Sequence, residues 1–319
     1  MPRRFFAGIT KIFYNFLKAY PFAKKEDSMK KSYMFLIGLA VLFVVAIAAA
    51  ATVRELIDNS EKLWLTNKFV ESQNVLKQAM AANPANNEKA EIYWRMSRNL
   101  YDMAEGMPRE AKQARMANYL QIQDLCKKCS ALAPATPECY LFLSTGIGRE
   151  GTQKGILNML PRIKEVETLY LKVIELKPTY RSEHGEANTL GDAYYALGIF
   201  YRMVPDWTVV QLLYKTKGDK KKSIDMLRKA VSLEPGRIEY SKELGVALIC
   251  YGQNTNNQAS IDEGKKTLQK VLTMTEYKPT DKIDKDHTKM ILADLKMACG
   301  YSRDAQQDVS RESYEKKKP

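Results

Sequence analysis

The chain has 319 residues, with 50 basic against 37 acidic side chains and a formal net charge of +13. Eight basic and two acidic residues fall within residues 1–31, and the remaining excess is spread thinly along the chain. Because nucleic-acid-binding proteins concentrate positive charge on one face or one helix, this distribution argues against DNA or RNA as a partner.

Residues 1–31 are predicted to form a cationic amphipathic leader. Phenylalanine, isoleucine and leucine recur there at helical spacing, lysines occupy the other face, and Pro21 ends the pattern. Such a helix can lie in the headgroup layer of a membrane, or it can pack against a partner protein, and both interpretations stay open. The predicted membrane-contacting residues of this leader and of the next segment are Phe5, Phe13, Phe16, Tyr33 and Phe43.

Residues 32–53 contain no charged side chain and are long enough, as a helix, to cross about 30 Å of hydrocarbon. They predict a transmembrane helix. Because lysines precede it, the N-terminus is expected in the cytoplasm and the following domain in the periplasm, with the protein single-pass in a bacterial inner membrane. A cleaved signal peptide is the alternative, since residues 48–51 are all alanine, although the apolar run exceeds the roughly 7–15 residues of a signal core.

Residues 54–299 carry a repeated pattern that ends in proline. Ala79, Leu76 and Ser72 stand five, eight and twelve residues before Pro84 and would share one helix face. Mostly small, apolar or β-branched residues occupy the same offsets before four further prolines, Pro134, Pro178, Pro235 and Pro279. Proline lacks an N–H group and cannot continue a helix, so each pattern predicts the second helix of a hairpin.

The first helices of three of the hairpins carry a signature of their own, which in one of them is Leu244-Gly245 followed by Leu248. Leu197-Gly198 is followed by Tyr201, and Trp94 stands seven residues before Tyr101. Together with the proline-terminated helices, these residues match the tetratricopeptide pattern. The sequence therefore predicts an all-α, tetratricopeptide-like helical-hairpin solenoid of five pairs, preceded by the transmembrane helix.

The end of the chain is predicted to differ from the repeats. A last helix over residues 286–299 is expected to cap the array. Residues 300–319 end in three lysines and a proline, and they are predicted to be a disordered basic tail.

Catalytic groups are sparse in this sequence. It has two histidines, His184 and His287, and no glycine-rich phosphate loop behind a strand. We therefore expect a binding protein rather than an enzyme, with no cofactor and no metal.

The five cysteines are expected to be structural. Cys126 and Cys129 form a Cys-x-x-Cys pair, but neither a following histidine nor a second pair completes a haem or zinc motif. Both fall on core positions, as do Cys250 and Cys299. A disulfide between Cys129 and Cys139 is conceivable if the domain lies in an oxidising compartment.

Aromatic residues around the fourth hairpin suggest a binding surface. An insertion over residues 203–217 contains Trp207 and an apolar run, and an amphipathic segment that the repeat does not need must cover something apolar. Some of these side chains would simply fill the seam between helices, Tyr201 among them. The candidate ligand- or partner-binding residues are Trp207, Tyr201, Tyr195, Tyr214 and Trp94.

Three blocks of the sequence resemble known families. Residues 94–104, residues 155–164 with 174–178, and residues 197–207 resemble the regulator of microtubule dynamics family. The same blocks are similar to the T component of TRAP transporters. The first resemblance implies a helical-repeat adaptor, in some members membrane-anchored and lipid-binding. The second implies a periplasmic oligomer with apolar internal cavities for hydrophobic ligands.

The chain departs from both families. It has no lipoprotein cysteine after the apolar run, which the T component would use as an anchor, and its insertion after Trp207 is shorter than in the first family. Neither family supplies catalytic residues.

Two functions follow from the sequence. The first is a membrane-anchored scaffold or adaptor that binds protein partners of a membrane or envelope assembly, which is what helical-repeat arrays most often do. The alternative is a repeat domain that binds a lipid or another apolar small molecule in a cavity. The expected partners are membrane lipid, proteins of a membrane-associated complex and, in a homo-oligomer, further copies of the chain.

Overall fold

A computed structural model describes residues 52–308 and 310–316 of the chain. Within these ranges the protein is helical, and its only β-type pairing is an isolated antiparallel bridge between Arg181 and Asn188. The α-helices, in chain order, are α1 (residues 52–65), α2 (Phe69–Ala81), α3 (Asn86–Gly106), α4 (Lys112–Leu132), α5 (Pro137–Lys154), α6 (Ile163–Glu175), α7 (Thr189–Met203), α8 (Thr208–Tyr214), α9 (Lys220–Leu233), α10 (Ile238–Thr255), α11 (Gln258–Thr273), α12 (Pro279–Ala293) and α13 (Arg311–Lys316). Two 3₁₀-helices cover Ile156–Arg162 and Leu295–Met297.

The helices pack as consecutive antiparallel pairs, which confirms the tetratricopeptide-like solenoid. The pairs are α1 with α2, α3 with α4, α5 with α6, α7 with α9, and α10 with α11. Helix α8 is the insertion within the fourth pair, and α12 follows the fifth. Helix α12 also contacts α3, the first helix of the second pair.

The predicted buried stripe forms the seam of each pair. Ser223, Leu227 and Ala230 of α9 are fully buried, and the Ser223 hydroxyl donates to the Gly198 carbonyl oxygen at 2.6 Å. A Cβ atom added at Gly198 would lie 2.4 Å from Leu227 Cγ, so glycine is what lets α7 and α9 approach this closely. The Leu-Gly signature therefore marks a contact between two helices.

The fifth pair corrects the predicted register. The proline count placed Thr267, Val271 and Met274 in the seam, but the buried residues of α11 are Gly264, Leu268 and Val271 together with its first-turn Ser260. Gly264, Leu268 and Val271 have the same spacing as the buried residues of α9. Pro279 begins α12 instead of following α11 directly, because proline is well tolerated in the first turn of a helix. Because the linker between α11 and Pro279 is longer than the corresponding linkers of the other pairs, counting residues back from this proline gives the wrong register for α11.

The membrane prediction is contradicted for the part of the chain that the structure describes. Between residues 52 and 316, leaving out residue 309, no helix is both long and apolar enough to cross a bilayer. On this finding the prediction of a single-pass inner-membrane protein with periplasmic repeats is wrong. Val53, placed at the end of the predicted span, is instead packed in the core of the repeat domain, where it is 2% exposed.

Most of the N-terminal predictions lie outside the described residues. These are the amphipathic leader over residues 1–31, residues 32–51 of the predicted span, and the five residues assigned to membrane contact, Phe5, Phe13, Phe16, Tyr33 and Phe43.

Four of the five cysteines form disulfides. Cys129 is bonded to Cys139 across the turn between α4 and α5, as the sequence allowed. Cys250 in α10 is bonded to Cys299 beyond α12, and this pairing was not predicted. Cys126 is a buried free thiol whose pKa is raised by burial to about 12, so it is held as the neutral thiol.

Residues 300–308, hereafter the C-terminal segment, are folded back onto the array, and residues 311–316 form helix α13. The prediction of a disordered tail does not hold for these residues. The reason is that their charged side chains find buried partners on helices far away in the sequence.

Candidate functional site: the inner surface and its C-terminal segment

The first helices of successive pairs, α3, α5, α7 and α10, line one continuous inner surface. Together with α6, the 3₁₀-helix Ile156–Arg162 and residues 301–303, they enclose a cavity of about 190 Å³. Because these helices follow one another in the stack, residues far apart in the sequence face the same space.

The cavity has an apolar wall and a charged wall. The apolar wall comes from α5, α6 and α7 and includes Leu141, Phe142, Val166, Ile199 and Phe200. The charged wall comes from α3, α10 and the C-terminal segment and includes Arg98, Glu105, Glu239, Lys242 and Arg303. A surface of this kind can hold an amphipathic group with one apolar side and one charged side.

Some polar atoms on this charged wall have no hydrogen-bond partner. Among the described residues, Arg98 Nε and Glu239 Oε2 are buried and unpaired, and so is Arg202 Nε on the neighbouring part of α7. Burying a polar atom without a partner is costly. Each of these groups is held instead by ion pairs that its other atoms make.

The C-terminal segment inserts a basic and an acidic side chain side by side. Arg303 donates to Glu105 Oε2 at 3.3 Å and is also paired with Asp284. Asp304 accepts from Arg115 at 2.5 Å and from Arg149 at 3.1 Å. Arg303 and Asp304 therefore each lie among side chains of opposite charge, hereafter the sockets, which belong to α3, α4, α5 and α12.

The sockets stay ionised in spite of their burial. Burial alone would raise the pKa of Glu105, but Arg149 and Arg303 hold it below its usual value. Burial likewise opposes the ionised form of Asp304, and Arg149, Thr152 and Arg115 lower its pKa. Ion pairs with further hydrogen bonds are what make such buried charges tolerable.

The segment is also held before and after this dipeptide. The Tyr301 hydroxyl accepts from Lys242 Nζ at 2.9 Å, and its carbonyl oxygen accepts from Arg202 at 3.0 Å. Gln307 donates to the Thr152 carbonyl oxygen and accepts from the Ile156 N–H, both at 3.1 Å. The side-chain amide of Gln307 thus supplies hydrogen-bond partners for backbone groups at and just beyond the end of α5, where the helix itself supplies none.

His287 supports Tyr301 from α12. Its Nε2 lies 3.1 Å from Arg109 Nη2 and its Nδ1 lies 2.9 Å from the Tyr301 hydroxyl. A guanidinium group can only donate, so Nε2 accepts and Nδ1 carries the proton. Burial, with Lys242 and Arg109 nearby, lowers the pKa of His287 to about 4 and keeps the ring neutral.

A second charged cluster lies on α1 and α3. Glu61 accepts from Arg98 at 2.5 Å and from the Tyr180 hydroxyl at 2.7 Å, and Arg95 also pairs with it. The Arg98 guanidinium lies 3.6 Å from the centre of the Trp64 ring. Burial opposes ionisation of Glu61, but these cations lower its pKa to about 2. The cluster fixes the start of the inner surface.

Three carboxylates come close enough together to hold a cation, but they are already engaged. Glu239, Asp281 and Asp284 offer oxygens within 4.8 Å of one another. Asp284 is paired with Lys242 and Arg303, Glu239 with Arg237, and Asp281 accepts two backbone N–H groups at the start of α12. The surrounding positive side chains would repel a metal ion.

The sequence-predicted site residues are split between the interior and the insertion. Tyr195 lines the cavity and stacks on Tyr240, with ring centres 5.0 Å apart. Tyr201 is buried and donates to Glu167 at 2.8 Å. Trp94 is also buried, where it stacks on Phe142.

Trp207 and Tyr214 lie together near α13. The Trp207 ring is half-buried, with its centre 5.3 Å from that of Tyr314. Tyr214 is packed against the core at the end of α8. The structure therefore does not gather the five predicted residues into one site, and the insertion covers part of the tail.

Sequence reasoning missed the charged sockets. Glu105, Arg149, Lys242 and Asp284 are each 15% exposed or less, and nothing in their spacing marks them as partners. What they share is a buried position on α3, α5, α10 or α12, and burial of this kind is known only once the helices have been placed.

No protein-family model matches the chain, and no curated protein matches it in sequence. The structure is similar to TTC0263, a thermophilic TPR protein in Thermus thermophilus, with 13% identity and a TM-score of 0.49, covering 76% of this chain and 99% of that one. It is also similar to MamA protein, with 18% identity and a TM-score of 0.39 over 69% and 93% of the two chains. The third similarity is to MamA from Desulfovibrio magneticus RS-1, with 17% identity and a TM-score of 0.36 over 70% and 94%.

At these identities and TM-scores the likenesses carry no argument about function. The tetratricopeptide-like assignment therefore rests on the helical pairs themselves. The resemblances to the regulator of microtubule dynamics family and to the TRAP T component are not shown.

Proposed function

We propose that this protein is a helical-repeat scaffold that binds segments of protein partners on its inner surface, without catalysing a reaction. One observation carries this proposal: the inner surface already holds a stretch of polypeptide outside the helices, the looped C-terminal segment, through ion pairs and hydrogen bonds. A surface that can accommodate one such stretch has the sockets to accommodate another.

The two walls of the cavity support the same function. An apolar wall can bury an aromatic or aliphatic side chain of a partner, while the charged wall fixes its direction. In interfaces a few buried anchors of this kind carry most of the binding energy. A role for Trp207 and Tyr214 in contacting a partner stays a prediction, since their position beside the tail places them at the edge of this surface.

Photo-crosslinking from inside the cavity tests the proposal. A benzoylphenylalanine replaces Ile199, which lines the cavity, and in a control variant it replaces Val70, which is 58% exposed and outside the cavity lining. We expect protein adducts from position 199 in cells and fewer, different adducts from position 70. The full chain is then recovered, and the adducts are resolved by mass spectrometry.

The adduct mass separates the possible functions. Adducts of a few hundred daltons at position 199 would replace the scaffold with the alternative, a site for an apolar small molecule. Identical protein adducts from both positions would show that the inner surface has no particular role, and the proposal would be wrong.

A further inference from the structure

The geometry points to a specific partner: the inner surface recognises a looped segment of another protein in which an aromatic residue is followed two residues later by a basic-acidic dipeptide. In this structure the C-terminal segment occupies that site. This inference rests on the proposed function and adds the chemistry of the partner and an intramolecular competitor. The pattern is that of Tyr301, Arg303 and Asp304.

The pattern comes from the order of the sockets. Lys242 and His287 meet the aromatic hydroxyl, Glu105 and Asp284 meet the basic group, and Arg115 and Arg149 meet the acidic group. A segment with the two charges interchanged would put like charges together in both sockets. Like charges at such distances in a buried site are strongly unfavourable. The site is therefore selective for the order of the charges.

Most contacts between the C-terminal segment and the array are made by its side chains, and the carbonyl oxygens of Tyr301 and Arg303 add to them. Arg303, Asp304 and Gln307 all contact residues more than 100 positions away, on α3, α4 and α5 or at the end of α5. Within the segment a single backbone hydrogen bond, from the Gln307 N–H to the Gly300 carbonyl oxygen at 2.7 Å, closes it on itself. Releasing the segment therefore breaks ion pairs but unwinds no helix.

The disulfide keeps the C-terminal segment beside the site for which it competes with a partner. Cys299, directly before the segment, is bonded to Cys250 of α10. A released segment thus remains attached to the same array at a local concentration on the order of millimolar. This tether favours a partner protein that displaces the segment over exchange of segments between two copies of the chain.

The test uses a fluorescent peptide with the sequence of residues 300–310 and a second peptide in which its arginine and first aspartate are interchanged. The receptors are the full-length wild type and the full-length double variant Arg303→Ala, Asp304→Ala, which removes one charge of each sign. Fluorescence anisotropy measures binding. We expect the double variant to bind the native-order peptide at least tenfold more tightly than the wild type does, because its own segment competes less.

The control peptide and the oligomeric state decide the outcome. Equal affinity for the two peptides, or no binding of the native-order peptide to the double variant at millimolar concentration, would overturn the inference. Light scattering is run on both receptors. A wild-type dimer that the double variant does not form would show that a second copy is the partner, and would also overturn it.

Hydrogen exchange on the wild type covers the case in which the double variant does not fold. We expect millimolar native-order peptide to raise the exchange of residues 301–316, and the interchanged peptide to leave it unchanged. If neither peptide changes the exchange of these residues, the segment is a permanent part of the fold that no partner displaces, and the inference fails. The scaffold function would still stand or fall on the crosslinking result at position 199, which does not depend on this peptide.

Discussion

The seams between paired helices and the charged sockets of the inner surface are both buried, but they are built in opposite ways. A seam joins helices of the same hairpin through small and apolar side chains, as Ser223 and Leu227 do against Gly198. The sockets join residues 155 and 198 positions apart, as Asp304 does with Arg149 and Arg303 with Glu105. The seams make each repeat, and the sockets decide how the end of the chain lies on the array.

The largest effect is expected from a change in the sockets. Glu105→Gln keeps the shape of the side chain but leaves Arg149 and Arg303 without their shared carboxylate. Removing one partner of a buried ion pair costs about 3–5 kcal/mol of unfolding free energy, measured by urea denaturation at pH 7.

The matched control is an ion pair on the surface. Arg228 and Glu263 are each about half exposed and lie 2.9 Å apart, so Glu263→Gln should cost less than about 1 kcal/mol. Similar losses in the two variants would mean that the sockets contribute no more than a surface pair.

Truncating a buried side chain in a seam should lower the free energy of unfolding. Leu227→Ala removes a fully buried side chain from the contact with Gly198, and we expect a loss of about 2–4 kcal/mol from the cavity left behind. Leu212 of the insertion is 65% exposed, and Leu212→Ala should stay within about 0.5 kcal/mol of the wild type. A large loss at Leu212 would show that the insertion is covered by a partner or by another copy.

The stability that the sockets contribute should also depend on pH, whereas the stability that the apolar seams contribute should not. His287 has a folded pKa of about 4, against an ordinary value near 6.5, because it is buried and faces Lys242, Arg109 and Arg303 as well as Asp284. The unfolded chain therefore takes up a proton below pH 6.5 that the folded chain refuses. The stability that goes with the neutral ring is complete above pH 6.5 and is lost as the pH falls towards 4.

This dependence is checked by comparing urea denaturation at pH 7 and pH 4.5 for the wild type and His287→Gln. The wild type should lose about 1–2 kcal/mol more than the variant, since one unit of pKa shift is about 1.4 kcal/mol and the ring keeps some contact with solvent. Equal losses would mean that other groups account for the acid sensitivity.

The smallest effect is expected where the insertion touches the tail. Trp207→Ala removes the ring contact with Tyr314 and should cost about 1 kcal/mol, the typical worth of an aromatic pair. If the same variant weakens partner crosslinking from position 199, the insertion contributes to binding. A loss above about 3 kcal/mol would instead make Trp207 part of the core.

The sequence by itself determined the repeat. Proline spacing, the Leu-Gly pair and the buried stripe are local signals, because each hairpin buries its apolar face against a helix close to it in the chain. The one error within the repeats, the register of α11, arose where the linker lengthened and Pro279 began a helix instead of following one.

Only the tertiary structure decided the site. Apart from Asp284 with Arg303, the sockets pair charges that lie more than a hundred residues apart in the chain, and such a pairing leaves no period in the sequence. Arg303 and Asp304 look like part of a solvated tail until the stacking of α3, α4, α5 and α12 places opposite charges beside them. The repeat pattern fixes which helices pair, but the angle between successive pairs decides which distant side chains meet, and that angle is set by packing along the whole array.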